Sequence, residues 1–260
     1  FSIALCMCLN LSSLVWADGV SVVDKTSTHR FFPNSQINKS NVAELVPLWT
    51  RFGNDMVDGD TTQVAPLLIG EKLISVSPRG KLRAINIETG ELLYSKQLLE
   101  PLGRRGFNSI AANKGGKQYI LIPSGEFVLK IDVLDGSVSQ IYETGYSLLA
   151  PFIYDGNLLV ATLKDGIKSF DFSTGLENWH LSLNKNGVQS RIWSGVAFDD
   201  ISGTLFVVTS NPGNIVGVGR GNDDYSVSLL AVTAETGEVK WQFKHIKNDL
   251  WDLDLAGPPI

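Results

Sequence analysis

Three carboxylates stand within six residues near the end of the chain: Asp249, Asp252 and Asp254, in NDLWDLDL. Acids held this close can raise one another's pKa, which helps one of them act as a base near neutrality. A solvated acidic loop has the same composition. Asn211 opens an Asn-Pro turn 41 residues before Asp252, in SNPGN. A carbonyl fixed in a rigid turn suits a hard, oxygen-seeking cation, and an ordinary strand-end turn reads the same way. Trp193, in RIWSG, precedes Asn211 by 18 residues and brings a wide flat π surface. Arg105, in GRRGFN, brings a two-pronged donor, and Gln63, in TTQVAP, an amide at a strand end. Motifs of other chemistries are missing: there is no GxGxxG-bearing helix, Walker loop, HExxH or GxSxG, so nucleotide and hydrolase readings lack support.

The elements that must position these residues are written in a repeat. The segments 82–94 (LRAINIETGELLY), 128–142 (VLKIDVLDGSVSQIY), 167–179 (IKSFDFSTGLENW) and 229–241 (LLAVTAETGEVKW) share one pattern. Each has an alternating apolar strand, a polar pair, a Gly and a second strand. The glycines Gly90, Gly136, Gly175 and Gly237 are 46, 39 and 62 residues apart. The first two spacings match a propeller blade of about 40 to 50 residues. The third predicts an insertion in the last blade. Thr-Gly or Asp-Gly between alternating strands predicts a tight hairpin turn with positive φ at Gly. Tyr94, Trp179 and Trp241 each lie four residues after a repeat Gly, where stacked blades fill the gap between sheets. Trp49 occupies the same position of an earlier, incomplete blade. Residues 36–45 are the one fair helical candidate, of one or two turns. The expectation is an all-β β-propeller of about four blades, the front half of a larger ring.

Composition agrees with a well-packed chain: of 260 residues, 43% are apolar and 19% charged. With 22 Lys+Arg against 27 Asp+Glu the net charge is −5, and no basic run is present, so no nucleic-acid partner is expected. Residues 1–17 are apolar and turn polar at Asp18. They read as a signal peptide truncated at its start, with Val15-Trp16-Ala17 as the cleavage site, leaving 18–260 as an exported, periplasmic chain. Both cysteines, Cys6 and Cys8, lie in that segment, so the mature chain would have no disulfide.

The stretches 191–214 (RIWSGVAFDDISGTLFVVTSNPGN) and 229–259 (LLAVTAETGEVKWQFKHIKNDLWDLDLAGPP), with 35–54 (SQINKSNVAELVPLWTRFGN), resemble the quinoprotein dehydrogenases, eight-bladed propellers that use pyrroloquinoline quinone (PQQ). The repeat alone is shared with non-catalytic propellers of envelope assembly. The DLWDLDL run is most similar to the membrane glucose and polyol dehydrogenase branch. The resemblance implies an enzyme that moves a hydride from an alcohol, polyol or sugar hydroxyl to PQQ and passes electrons to a quinone or cytochrome c. It implies that Trp193 is the floor under the quinone, although Ser194 stands where Gly is usual. By the same resemblance Arg105 pairs with a quinone carboxylate and Gln63 meets the quinone edge. Asn211 would give its amide oxygen to Ca²⁺, and Asp252 would take the substrate's hydroxyl proton as catalytic base. The family's carboxylate ligand from the preceding blade has no counterpart in VATLKDG, where Asp165 does not align with it. The vicinal cysteine pair of some members is also absent. The alternative is a non-catalytic propeller scaffold of the cell envelope, which has no reason to keep Trp193, Asn211 and Asp252 together.

Overall fold

The computed structural model describes residues 2–6, 37–60, 66–98, 110–147, 149, 151–185, 188–192, 196–211, 225–247, 249–251, 253–255, 257 and 259. Four four-stranded antiparallel sheets follow one another along the chain. Strand β1 (Ser2–Cys6) pairs with β2 (Pro47–Phe52) ahead of them. The first sheet holds β3 (Leu67–Ile69), β4 (Lys72–Val76), β5 (Lys81–Asn86) and β6 (Leu92–Gln97). The second holds β7 (Ile110–Lys114), β8 (Lys117–Ser124), β9 (Phe127–Asp132) and β10 (Val138–Glu143). The third holds β11 (Phe152–Tyr154), β12 (Asn157–Ala161), β13 (Ile167–Asp171) and β14 (Glu177–Leu181). A short hairpin, β15 (Asn184–Lys185) and β16 (Val188–Gln189), precedes the fourth sheet. That sheet holds β17 (Val196–Asp199), β18 (Thr204–Val208), β19 (Ser228–Thr233) and β20 (Val239–Lys244). Within each sheet the spatial order is the chain order, as in a propeller blade.

Every repeat glycine closes a five-residue loop between the third and fourth strands, with the positive φ expected. Gly90, Gly136, Gly175 and Gly237 have φ between 70° and 78°, and each donates its N–H to the carbonyl four residues back at 2.8–2.9 Å. The extra residues are absorbed by a shift of register where the fourth strand pairs. Asn86 and Asp171 stabilise their loops by accepting two backbone N–H bonds each through one side-chain oxygen. Those bonds and the Thr174 hydroxyl hold the Asp171 carboxyl below its ordinary range.

The glycines also explain how sheets stack. Trp49 packs on Gly90, Tyr94 on Gly136 and Trp179 on Gly237, each so close that a Cβ on the glycine would meet the ring below 3 Å. The polar tip of each ring donates to the carbonyl three residues before the glycine: Trp49 Nε1 to Ile87 at 2.8 Å, Tyr94 Oη to Val133 at 3.1 Å, Trp179 Nε1 to Ala234 at 3.2 Å. Burial pushes the Tyr94 hydroxyl up to about 12. The position after Gly136 is Gln140, which reaches Gly175 with a flexible amide. There the Phe172 carbonyl is taken instead by the Tyr142 hydroxyl at 2.8 Å and the Lys130 ammonium at 3.0 Å. Lys130 also lies 4.2 Å from the Phe172 ring centre and 4.9 Å from that of Tyr119. This cation–π cage compensates in part for a burial that pushes its pKa down.

Three apolar cores fill the interfaces between neighbouring sheets. Leu82, Ile120 and Ile131 belong to the first, Leu121, Tyr142 and Phe170 to the second, and Ile192, Val207 and Leu230 to the third. Middle strands are buried on both faces because a sheet lies on either side, which is why KQYILIPS ends in five consecutive buried residues. The helix expected over 36–45 is reduced to one 3₁₀ turn, Val42–Glu44, with no buried residue. Asn38 and Asn41 spend their side chains on backbone N–H groups within that stretch, which competes with helical bonding.

Candidate active site

Antiparallel meanders separate two kinds of loop. The glycine loops lie at one end of each sheet, and the connections from second to third strand lie at the other. The fourth strand also runs towards that other end, so each sheet-to-sheet connection begins there. All five expected site residues belong by chain position to these connections. Gln63 lies between β2 and β3, Arg105 between β6 and β7, Trp193 between β16 and β17, Asn211 between β18 and β19, and Asp252 after β20. Gln63, Arg105, Trp193 and Asp252 themselves lie outside the described residues; Asn211 is within them.

Asn211 is 6% exposed, and its backbone N–H donates to the Asp254 carboxylate, Oδ1, at 2.8 Å across 43 residues of chain. One residue earlier, the Ser210 N–H donates to the Arg191 carbonyl at 2.8 Å. These two bonds tie together the segment that carries Trp193, the Asn-Pro turn and the segment that carries Asp252. The strand end beneath them is fixed by Thr209, whose N–H donates to the Ser228 carbonyl at 2.9 Å and whose hydroxyl accepts the Ser228 N–H at 3.0 Å. Ile192, fully buried in the third core, anchors the residue beside Trp193.

The acidic run is ordered by its own first member. Asp249 is 4% exposed, and its two oxygens accept the Trp251 N–H at 2.9 Å and the Leu253 N–H at 3.0 Å. The loop therefore bends around Asp249, with Trp251 72% exposed. Asp249 and Asp254 both hold backbone, on either side of Asp252 in the sequence. The sequence had drawn attention to the three acids but not to this division of labour. A carboxylate at the start of a turn, with N–H groups two and four residues on, is the signal that could have found it.

A second polar cluster sits in the β2–β3 connection. Asp55 bonds Ser77 and Arg83, and Arg79 forks onto Asp60 with Nε–Oδ2 at 2.7 Å and Nη2–Oδ1 at 3.2 Å. Burial pushes the Asp55 carboxyl up, but the Ser77 hydroxyl and the Arg83 guanidinium outweigh it and hold the group below its ordinary range. The cluster pins residues 53–60 over the β4–β5 connection and so positions the chain that enters Gln63. Asp165 lies in the β12–β13 connection, its N–H bonded to the Thr162 hydroxyl at 2.9 Å and its carboxylate against Gly145.

Among the described residues, no group of three or more His, Cys, Asp or Glu side chains is gathered to hold a metal ion. Asn211 is the one expected calcium contact within them, so the donor set in view does not make a calcium site. The fit to an acidic aromatic cofactor is better. Arg191, two residues before Trp193, has a buried Nε with no hydrogen-bond partner among the described residues. An orphaned cationic donor in the site's own segment is what a carboxylate-bearing ligand needs. Sequence reading passed over it because nothing in RIW distinguishes an unpaired arginine from a paired one.

The chain is 26% identical to lupanine 17-hydroxylase [cytochrome c] of a Pseudomonas species, over 84% of its own length and 32% of that protein. It is 24% identical to quinoprotein glucose dehydrogenase A of Acinetobacter calcoaceticus, over 88% of its length and 38% of that protein. The chain thus spans 32% to 38% of the length of these relatives. Europium-containing methanol dehydrogenase has the same fold, with a TM-score of 0.68 over 84% of this chain and 47% of that one, at 17% identity. The described family "Glucose/ethanol/alcohol dehydrogenase, beta-propeller domain", of the PQQ type, matches residues 21–141 and 181–260. With four stacked blades, and with the Asn-Pro turn bonded to the DLWDLDL loop, the chain belongs to this PQQ β-propeller family.

Proposed function

We propose that this chain is part of a periplasmic quinoprotein dehydrogenase that oxidises an alcohol, polyol or sugar hydroxyl and delivers electrons to a quinone or cytochrome c. The observation that carries the reading is the match to the PQQ dehydrogenase propeller family over residues 21–141 and 181–260, and the Asn211 N–H bond to Asp254 supports it by joining the two segments in which the site is expected. A scaffold would be served equally well by the stacked cores alone.

PQQ supplies an electrophilic quinone that accepts a hydride. The protein's own part is positioning and proton transfer. Trp193 offers a flat surface, and Arg105 and Gln63 offer donors at the rim. Asp249 and Asp254 fix the loop on either side of Asp252, so that Asp252 can face the substrate hydroxyl and take its proton as the hydride departs. Calcium, expected through the Asn211 amide oxygen, belongs to the same reading, and no step is derived through it. Replacing Asp252 by Asn keeps the shape and removes the base. Turnover of the full-length, quinone-loaded protein should fall by about 10² to 10⁴, with quinone binding retained. Unchanged dye reduction in Asp252→Asn would remove Asp252 from the mechanism.

A further inference from the structure

We propose that Arg191 is an anion-binding residue of this site, pairing with a carboxylate of the bound ligand. The inference rests on the dehydrogenase reading above and adds a residue to it. Four arginines are described, and three have an acceptor. Arg51 donates to the Gly90 carbonyl at 3.1 Å, Arg79 to Asp60, and Arg83 to Asp55. Arg191 has no ion pair and no side-chain hydrogen bond among the described residues, and its Nε is buried.

A buried Nε–H left without an acceptor lowers the stability of the free protein. Ser95 and Ser169 also have orphaned hydroxyls, but these are neutral groups inside sheets. The unmet donor at Arg191 belongs to a cationic group, and it lies in the site's own segment. Its carbonyl holds Ser210, the next residue is fully buried, and the one after is Trp193. The backbone is thus fixed on both sides of the side chain, which pre-organises the fork. Nor do the neighbouring acids supply the missing partner. Asp249 is committed to two backbone N–H groups, and Asp254 bonds Asn211. The unmet demand is for an anion that arrives with the ligand. A carboxylate, planar and able to take two parallel N–H bonds, matches the fork better than a hydroxyl does. It can come from the tricarboxylate quinone or from an acid-bearing substrate.

The experiment uses the full-length apoprotein with Arg191→Gln, Arg191→Lys and Arg191→Met. Quinone affinity is read by calorimetric titration, without turnover, and melting of the apoprotein is read alongside. Michaelis constants are then measured for a neutral polyol and for its carboxylate-bearing analogue. The proposal expects apoprotein melting to be unchanged or raised in Arg191→Met. If the partner is the quinone, Arg191→Gln should bind it about 10- to 100-fold more weakly, with Lys intermediate. If the partner is the substrate, quinone affinity should hold while the Michaelis constant rises for the carboxylate analogue alone. Equal quinone affinity and equal Michaelis constants in wild type and Arg191→Gln would overturn the proposal. So would a lowered apoprotein melting temperature in Arg191→Met, which would make Arg191 structural. A wild type that takes up no quinone and turns over neither substrate would instead sink the dehydrogenase reading, and this inference with it.

Discussion

Of the three acids Asp249, Asp252 and Asp254, the first and last do structural work. The outer two accept backbone N–H groups and so shape the loop and its link to Asn211. A charge-assisted bond of this kind contributes about 1.5 to 3 kcal/mol when desolvated, and Asp254 makes it across 43 residues. Asp254→Asn keeps the volume but removes the charge. Exchange of the Asn211 amide, followed by mass spectrometry or NMR, should then be about tenfold faster or more, with the sheets unaffected. Unchanged exchange would show that the contact does not hold the two loops together. Three kinds of acid look alike in sequence, because which oxygen meets which N–H depends on loop geometry that no residue pattern records. Arg191 escaped notice for the same reason: being unpaired is a property of the surroundings, not of the residue.

At the scale of the element, the repeat was readable and its detail was not. Alternation and the glycine located all four third and fourth strands, with an aromatic four residues later in three of them, because each follows from local backbone demand. The five-residue length of the loop was not legible, because Thr-Gly or Asp-Gly marks a turn and not how many residues it takes. The register shift that lengthens the loop is a cross-strand property. The glycines are needed twice over, for positive φ and for the ring laid on them, and these demands differ between interfaces. Gly237 faces the Trp179 indole, held by its bond to Ala234, whereas Gly175 faces the end of the Gln140 amide. Ala at either site meets the left-handed strain of about 1 to 2 kcal/mol. Gly237→Ala must also displace a packed ring, an added cost of about 1 to 3 kcal/mol, while Gln140 can swing away. Urea denaturation should therefore rank Gly237→Ala well below Gly175→Ala. Equal losses would mean that the ring contact does not fasten the sheets.

For the whole molecule, four blades with three filled interfaces leave the outer face of the fourth sheet uncovered among the described residues. Trp241 sits where Trp49, Tyr94 and Trp179 find a glycine, yet it is half-exposed and packs on Phe206 of its own sheet at 5.9 Å. The chain spans 32% and 38% of the lengths of two of its relatives. Residues 2–6, inside the expected signal peptide, pair with β2. The export reading predicts a mature N-terminus at Asp18, measured by mass spectrometry of periplasmic protein. A cytoplasmic chain retaining residues 1–17 would refute it.

The architecture brings the connections that carry Gln63, Arg105, Trp193, Asn211 and Asp252 to one end, and the central claim is that they hold a quinone there. The most direct test is titration of the full-length apoprotein with PQQ, comparing wild type with Trp193→Ala. The account predicts one quinone per chain for the wild type. It predicts affinity about 10- to 100-fold weaker without the indole, on the scale of about 1 to 3 kcal/mol for stacking of a flat ring on an aromatic side chain. Absence of quinone uptake by the wild type, or equal affinity in Trp193→Ala, would contradict it.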